Sequence, residues 1–140
     1  MMFWTGHQRD AMSVLQEQRQ NTPAKLESLT AMRGHAHRLY DMCGGDVDPI
    51  EFGSILDESW RLKRGLASTI STDQIDNWYA AAMAAGAIGG KICGAGGGGC
   101  MLFVVAPERR AAVKAALSDM VEVPLGYEAR GSQVLIPFSG

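Results

Sequence analysis

The chain has 140 residues, the size of one ordinary domain, and its 46% hydrophobic and 20% charged residues exclude a disordered chain. With a net charge of -2, the chain does not have the excess of basic residues that is typical of nucleic-acid-binding proteins. None of its apolar runs approaches the ~20 residues that a membrane-spanning helix needs. We therefore expect neither a nucleic-acid partner nor a membrane partner. The sequence has three cysteines without CxxC spacing, Cys43, Cys93 and Cys100, and its N-terminus has no signal-peptide pattern. We therefore expect reduced thiols in a cytoplasmic protein.

The first half of the chain predicts a short strand and then four helices. Residues 2–5 are apolar and β-prone, and apolar residues then recur at helical spacing. Helix starts are marked by Asp48 with Pro49 and Glu51, an acidic capping-box variant, and by the segment 71–74. The predicted helices cover residues 9–20, 24–43, 48–65 and 71–86, with a break at 21–23 before Pro23.

The second half predicts strands at 88–93 and 100–106 on either side of the glycine-rich run 94–99. The segment 100–105 is almost wholly apolar, which predicts a central strand covered by helices. Pro107 begins another helix, and further strands are predicted at 121–125 and 134–137. This order of elements indicates a single α+β domain, with helices packed on a mostly antiparallel sheet.

The glycine-rich run is the most unusual feature of the sequence, since eight of the 17 glycines lie between Gly86 and Gly99. Its spacing satisfies a dinucleotide-binding fingerprint, but that fingerprint requires a following helix, and here a strand follows. A P-loop is excluded as well, because the glycines are followed by neither Lys-Ser nor Lys-Thr and by no helix. Consecutive glycines expose backbone N–H groups and permit positive φ, which suits phosphate binding. The same residues also suit close packing against a neighbouring element, and this pattern alone favours neither reading.

Three segments carry a resemblance to a known family. Residues 89–103 (GGKICGAGGGGCMLF) resemble the third conserved motif of GHMP-type small-molecule kinases. Trp4-Thr5-Gly6 with residues 9–11 resembles the junction that opens the C-terminal domain of these kinases. Residues 58–66 (ESWRLKRGL), followed by Ile70-Ser71, resemble the sugar-phosphate branch, in particular D-glycero-D-manno-heptose 7-phosphate kinases. The similarity covers essentially the whole chain.

The resemblance implies a ferredoxin-like α+β fold, with extra helices inserted after the first strand. It also implies an enzyme that transfers the γ-phosphoryl group of Mg²⁺-bound ATP to a sugar phosphate such as heptose 7-phosphate. The family's ATP-binding motif, P-x-x-x-G-L-G-S-S-A, has no counterpart in this sequence. Residues 1–140 are therefore expected to form the C-terminal, substrate-side domain, with an N-terminal domain of the same polypeptide as its partner. We expect this chain alone to hold no catalytic residue and to be inactive.

Three groups of site residues follow from the resemblance. The nucleotide or phosphate loop comprises Lys91, Gly94, Ala95, Gly96, Gly97, Gly98 and Gly99. Substrate binding is assigned to the helical face of Trp60, Lys63 and Arg64, with the indole stacking on a sugar and the cations binding phosphate. It is also assigned to the turn of Thr5, Gly6 and Arg9. Each group has a plain structural alternative: an edge-strand lysine, a core tryptophan beside solvated cations, and an ordinary helix cap.

A second reading makes the chain a noncatalytic α+β domain whose glycine loop binds an effector or a partner. An RNA-binding ferredoxin-like module is disfavoured by the acidic charge balance and by the lack of an RNA-stacking aromatic motif. His35 and His37 are two residues apart, which points their side chains in different directions on a helix, so we expect no metal site. Without the partner domain, an apolar interface near residues 94–99 would be exposed, and the chain could form homo-oligomers through it.

Overall fold

A computed structural model describes residues 1–8, 10–126 and 130–131 of the chain. The described strands are β1 (Met2–Trp4), β2 (Ala87–Ile92), β3 (Cys100–Val105) and β4 (Val121–Val123). The helices are α1 (Ala11–Asn21), α2 (Leu26–Met42), α3 (Pro49–Arg64), α4 (Asp73–Ala84) and α5 (Arg110–Ala116). Short 3-10 turns lead into α2 and α5. The strand predicted at 134–137 lies outside the described residues.

The four described strands form one antiparallel sheet in the order β2-β3-β1-β4. From the opposite edge this order is 4-1-3-2, with helices inserted after β1 and β3, which is the ferredoxin-like arrangement. The predicted fold class, including the four helices inserted after the first strand, is confirmed. β3 is central as predicted, but its burial alternates: Met101 and Phe103 are buried, whereas Leu102 and Val104 are half-buried. The sheet therefore buries one face more completely than the other.

Local capping signals place the helix starts. The Asp48 carboxylate accepts a hydrogen bond from the amide of Ile50 at 2.9 Å, and Thr72 caps α4 by accepting from Ile75. The reciprocal half of the predicted capping box is not formed, because the Glu51 carboxylate pairs with Arg38 of α2 at 2.9 Å. The break predicted at residues 21–23 is instead a 3-10 turn that connects α1 directly to α2.

Glycines bring α3 and β2 into backbone contact. A Cβ atom on Gly89 would lie 1.8 Å from the carbonyl oxygen of Gly53 in α3, and one on Gly53 would lie 2.7 Å from the side chain of Ile88. A Cβ on Gly90 would lie 2.4 Å from the Leu102 carbonyl oxygen of β3. Close packing of α3 on the sheet therefore explains Gly53 and Gly89, and close approach of the neighbouring strand β3 explains Gly90.

An aromatic cluster lies between the helices and the sheet. Tyr79 contacts both Trp60 and Phe103, with ring centroids 6.2 and 5.7 Å apart. Its hydroxyl donates to the buried Asp57 carboxylate at 2.6 Å, and Asp57 is held in turn by Arg61 at 2.7 Å. Burial raises the pKa of Tyr79, and the bond to Asp57 raises it further, so the phenol remains protonated and acts as a donor. The network joins α3 to α4 inside the core.

Across the described ranges, none of the helices is both long enough and apolar enough to cross a membrane.

Candidate functional site

The glycine loop, residues 94–99, is docked against the rest of the domain. Gly96, Gly97 and Gly98 are buried. The amide of Gly97 donates to the carbonyl oxygen of Ile70 at 2.8 Å, and the amide of Gly99 donates to that of His7 at 2.9 Å. The loop therefore lies between two segments far apart in sequence, the β1–α1 turn and the α3–α4 connection.

Close approach to these two segments explains why the tip is made of glycine. Gly96 has φ +119°, and a Cβ there would lie 2.8 Å from the carbonyl oxygen of Ile70. A Cβ on Gly98 would lie 2.7 Å from the carbonyl oxygen of His7. A Cβ atom cannot lie this close to a backbone oxygen atom, so each of the two positions requires either glycine or a displacement of the backbone. Of the two readings that the sequence left open, packing against a neighbouring element therefore accounts for the tip.

The loop nevertheless keeps spare hydrogen-bond donors. The amides of Gly94, Ala95, Gly96 and Gly98 donate to no acceptor among the described residues. Backbone amides of successive loop residues are a common binding surface for phosphate oxygens. Docking of Gly97 and Gly99 fixes the shape of the loop. Gly94 is exposed and Ala95 is half-buried, so their amides lie in the accessible part of the loop, whereas Gly96 and Gly98 are buried.

The turn between β1 and α1 holds the loop in place. Thr5 is buried, and its hydroxyl donates to the carbonyl oxygen of Gly99 at 2.9 Å, while its amide donates to the same oxygen at 2.9 Å. Gly6 is exposed, with φ +75° and open space around it. Arg9, the third residue assigned to this turn, lies outside the described residues. Thr5 therefore anchors the loop, and its hydroxyl is already engaged.

Trp60, Lys63 and Arg64, which were predicted to form one substrate-binding face, lie in three different environments. The indole of Trp60 is 1% exposed, so it cannot stack on a sugar, and the substrate-stacking role assigned to it is wrong. Arg64 lies 6.0 Å from the centre of that indole and pairs with Asp76 at 2.7 Å, which stabilises the start of α4. Lys63 alone turns toward the loop, where its ammonium group donates to the carbonyl oxygen of Gly94.

Lys63 and Lys91 lie together at the start of the loop. Burial lowers the pKa of Lys63, and the nearby ammonium group of Lys91 lowers it further. Both lysines line a groove of about 430 Å³ that also includes Gly94 and Ala95 of the loop. Lys91 lies on β2, an edge strand, but it is half-buried and faces this groove, not open solvent.

A second hollow, of about 270 Å³, lies at the tip of the loop. Gly97 and Gly98 form one wall, and Thr72 and Gln74 at the start of α4 form another. No lysine, arginine or carboxylate of the described residues lines this hollow, whereas the groove carries two ammonium groups. Sequence reasoning identified Thr72 only as a helix cap and missed Gln74, because no local pattern places α4 beside a loop more than 20 residues away.

The histidines and cysteines do not form a further site among the described residues. His35 bonds Ser59 at 2.8 Å and lies 3.3 Å from the Glu58 carboxylate, which ties α2 to α3. Within residues 1–8, 10–126 and 130–131, no three metal-ligating side chains come together. Cys93 and Cys100 are half-buried at the base of the loop, and burial raises the pKa of the Cys93 thiol, so it is a poor nucleophile at neutral pH.

Comparisons with known proteins agree on one family. Residues 46–123 match the family model described as GHMP kinases C terminal. A mevalonate kinase of Pyrococcus horikoshii is 31% identical over 124 residues, which cover 86% of this chain and 37% of that protein. A D-glycero-alpha-D-manno-heptose 7-phosphate kinase of Campylobacter jejuni is 28% identical over 115 residues, 79% of this chain and 33% of that protein. The chain thus spans about a third of the length of these relatives.

A solved structure shows the same fold. The crystal structure of L. major mevalonate kinase in complex with R-mevalonate aligns with a TM-score of 0.70, over 84% of this chain and 37% of that one. The sequence identity in this alignment is 16%, so the likeness concerns the fold. Most of the chain therefore has a fold that is also found in a known kinase.

Proposed function

Since the chain belongs to the GHMP kinase family through its C-terminal domain, we propose that it forms the acceptor-side domain of an ATP-dependent kinase acting on a sugar phosphate. Residues 1–140 would constitute this one domain, and an N-terminal domain of the same polypeptide would supply the ATP-binding loop. Heptose 7-phosphate is the proposed acceptor, supported by the likeness of residues 58–66 to the sugar-phosphate branch and by the heptose 7-phosphate kinase among the relatives.

The observation that carries the proposal is the docked glycine loop, where Gly94 and Ala95 have spare amides and line one groove with two ammonium groups. In the reaction, the acceptor hydroxyl oxygen forms a bond to the γ-phosphorus of ATP, the bond to the β-phosphate oxygen breaks, and the hydroxyl proton is released. Negative charge spreads over the phosphoryl oxygens during this transfer. Fixed backbone amides near those oxygens stabilise that charge without having to reorganise.

The described residues fit an anion better than they fit a metal ion. They contain no group of three carboxylate, histidine or cysteine side chains that could hold Mg²⁺. We assign no step to the metal here. We propose that the 140-residue chain alone does not phosphorylate a sugar, because the family's ATP-binding motif has no counterpart in this sequence.

The proposal is tested by steady-state kinetics of the full-length kinase that contains this domain. Heptose 7-phosphate and mevalonate are compared as acceptors, and Lys63→Ala is compared with wild type. We expect turnover with heptose 7-phosphate, and we expect Lys63→Ala to raise the KM for the acceptor far more than the KM for ATP. Arg64→Ala is the matched control, because its partner is Asp76 and it should change the acceptor KM little.

Preference for mevalonate would refute the sugar-phosphate acceptor but keep the kinase. Turnover with neither acceptor, nor with other small-molecule alcohols, would favour a noncatalytic ligand-binding domain instead.

A further inference from the structure

One wall of the groove beside the glycine loop is aliphatic and the other is cationic. Leu15 of α1 and Leu29 and Met32 of α2 form the aliphatic wall. Lys63 of α3 and Lys91 of β2 face it from the base of the loop. The helices inserted after β1 therefore close over a charged patch that would otherwise be open to solvent.

Among the described residues, the two lysines have no counter-ion. Every ion pair found among the described residues involves other cations, and neither Lys63 nor Lys91 lies within 4.0 Å of a carboxylate there. Burial of Lys63 and the nearby ammonium group of Lys91 both disfavour the charged state of Lys63 and so lower its pKa. Lys63 spends one donor on the Gly94 carbonyl oxygen, and an ammonium group has three.

A structural role alone does not explain this pairing. A lysine that only tethered α3 to the loop would need no second ammonium group beside it, and an apolar or neutral residue at position 91 would remove the repulsion. Two unpaired cations in a partly enclosed groove are stabilised by a bound anion of charge near -2.

We propose that Lys63 and Lys91 form a subsite for a phosphate monoester, and that the aliphatic wall contacts the carbon skeleton that carries it. The assignment deepens the proposed function and rests on it for the identity of the ligand, namely the remote phosphate of the acceptor. It replaces the Trp60, Lys63 and Arg64 face with a pair of lysines that come together only in the fold. A phosphate monoester carries about 1.5 to 2 negative charges near pH 7 and so matches the two lysines, whereas a carboxylate carries one.

Direct binding to the 140-residue chain tests the subsite without ATP or turnover. Three probes are titrated at pH 7.5 and followed by amide chemical shifts: inorganic phosphate, butyl phosphate and butyrate. We expect butyl phosphate to bind most tightly, because it offers both the dianion and the alkyl chain. The largest shifts should be at Gly94 and Ala95, not at Gly97 and Gly98 in the other hollow.

Charge-neutralising variants identify the residues. Lys63→Gln and Lys91→Gln should each weaken butyl phosphate binding by roughly tenfold or more, as expected for loss of a charge-assisted hydrogen bond. Lys114→Gln removes the same charge from α5, where Lys114 pairs with Glu122, and should leave the affinity unchanged. Lys63→Arg should retain most of the binding, and melting temperatures confirm that each variant is folded.

The inference is overturned if butyrate binds as tightly as butyl phosphate, if the shifts centre on Gly97 and Gly98, or if the Lys114 variant weakens binding as much as the other two. Failure of the proposed function gives a different result. A chain that binds alkyl phosphate through Lys63 and Lys91, while the full-length kinase fails to phosphorylate sugar phosphates, would retain the subsite and refute the acceptor.

Discussion

Gly96→Ala should be the most damaging single methyl addition in the glycine loop. The new Cβ would lie 2.8 Å from the Ile70 carbonyl oxygen and 2.9 Å from the Ile70 Cα, both backbone atoms of another segment. The carbonyl oxygen is also the acceptor for the amide of Gly97. The substitution therefore introduces a clash with the Ile70 backbone and weakens or breaks the hydrogen bond from Gly97 to Ile70. It also places alanine at φ +119°.

These costs combine to a measurable loss. A left-handed backbone costs an L-residue about 1–2 kcal/mol, and a lost internal hydrogen bond costs about 0.5–1.5 kcal/mol. Together they predict destabilisation of about 1.5–3.5 kcal/mol, which for a domain of this size lowers the melting temperature by roughly 5–12 °C.

Two neighbouring glycines separate the causes. Gly94→Ala meets the strain alone, because Gly94 has φ +81° but no atom within 4 Å of its Cβ position, and it should cost about 1–2 kcal/mol. Gly98→Ala meets the clash alone, since a Cβ there lies 2.7 Å from the His7 carbonyl oxygen without a positive φ. Urea and thermal unfolding of the 140-residue chain measure all three. If Gly94→Ala destabilised as much as Gly96→Ala, docking against Ile70 would not be what requires glycine.

Two further predictions concern groups away from the loop. Tyr79→Phe removes the donor that bonds the buried Asp57 carboxylate at 2.6 Å and should destabilise the domain by about 1–3 kcal/mol in urea unfolding; an unchanged midpoint would show that Arg61 suffices. The pKa of Glu17 is lowered chiefly by the amide of Ser68, with the Ser68 and Thr69 hydroxyls adding to the effect. Its contribution to stability is therefore complete above the ordinary value of 4.5 and is lost as the pH falls through the lowered folded-state value. Glu17→Gln should thus be less stable than wild type at pH 7 and equal to it at low pH in melting curves, and a difference independent of pH would contradict the assignment.

Much of the fold could be predicted from the sequence because its signals are local. Asp48 and Thr72 cap helices through bonds to residues two or three positions away, and the apolar residues at helical spacing in α4 define its buried face. The strand–loop–strand segment could be predicted equally well, because the spacing of apolar residues changes locally from helical to strand-like at Gly86. The 4-1-3-2 strand order came only from the family resemblance.

The candidate site was less predictable because its partners are distant in sequence. Helical spacing places Trp60 and Lys63 on one face, but it does not say that the indole enters the core while the longer lysine reaches past it to Gly94. Lys63 and Lys91 belong to different elements and meet only because α3 packs on β2 at Gly53 and Gly89. The carbonyl oxygens of Ile70 and His7 that hold the loop belong to backbone, which leaves no signature in residue type.

The central claim, that this chain is the acceptor-side domain of an ATP-dependent kinase, is tested most directly by ATP consumption with heptose 7-phosphate. The full-length kinase and the 140-residue chain are assayed at equal concentration, each as a monodisperse sample. Our account predicts turnover by the full-length protein within the ~1–100 s⁻¹ typical of kinases and none above background by the 140-residue chain. Turnover by the 140-residue chain would contradict it, because the groups that hold ATP and position the acceptor hydroxyl would then have to lie within these residues.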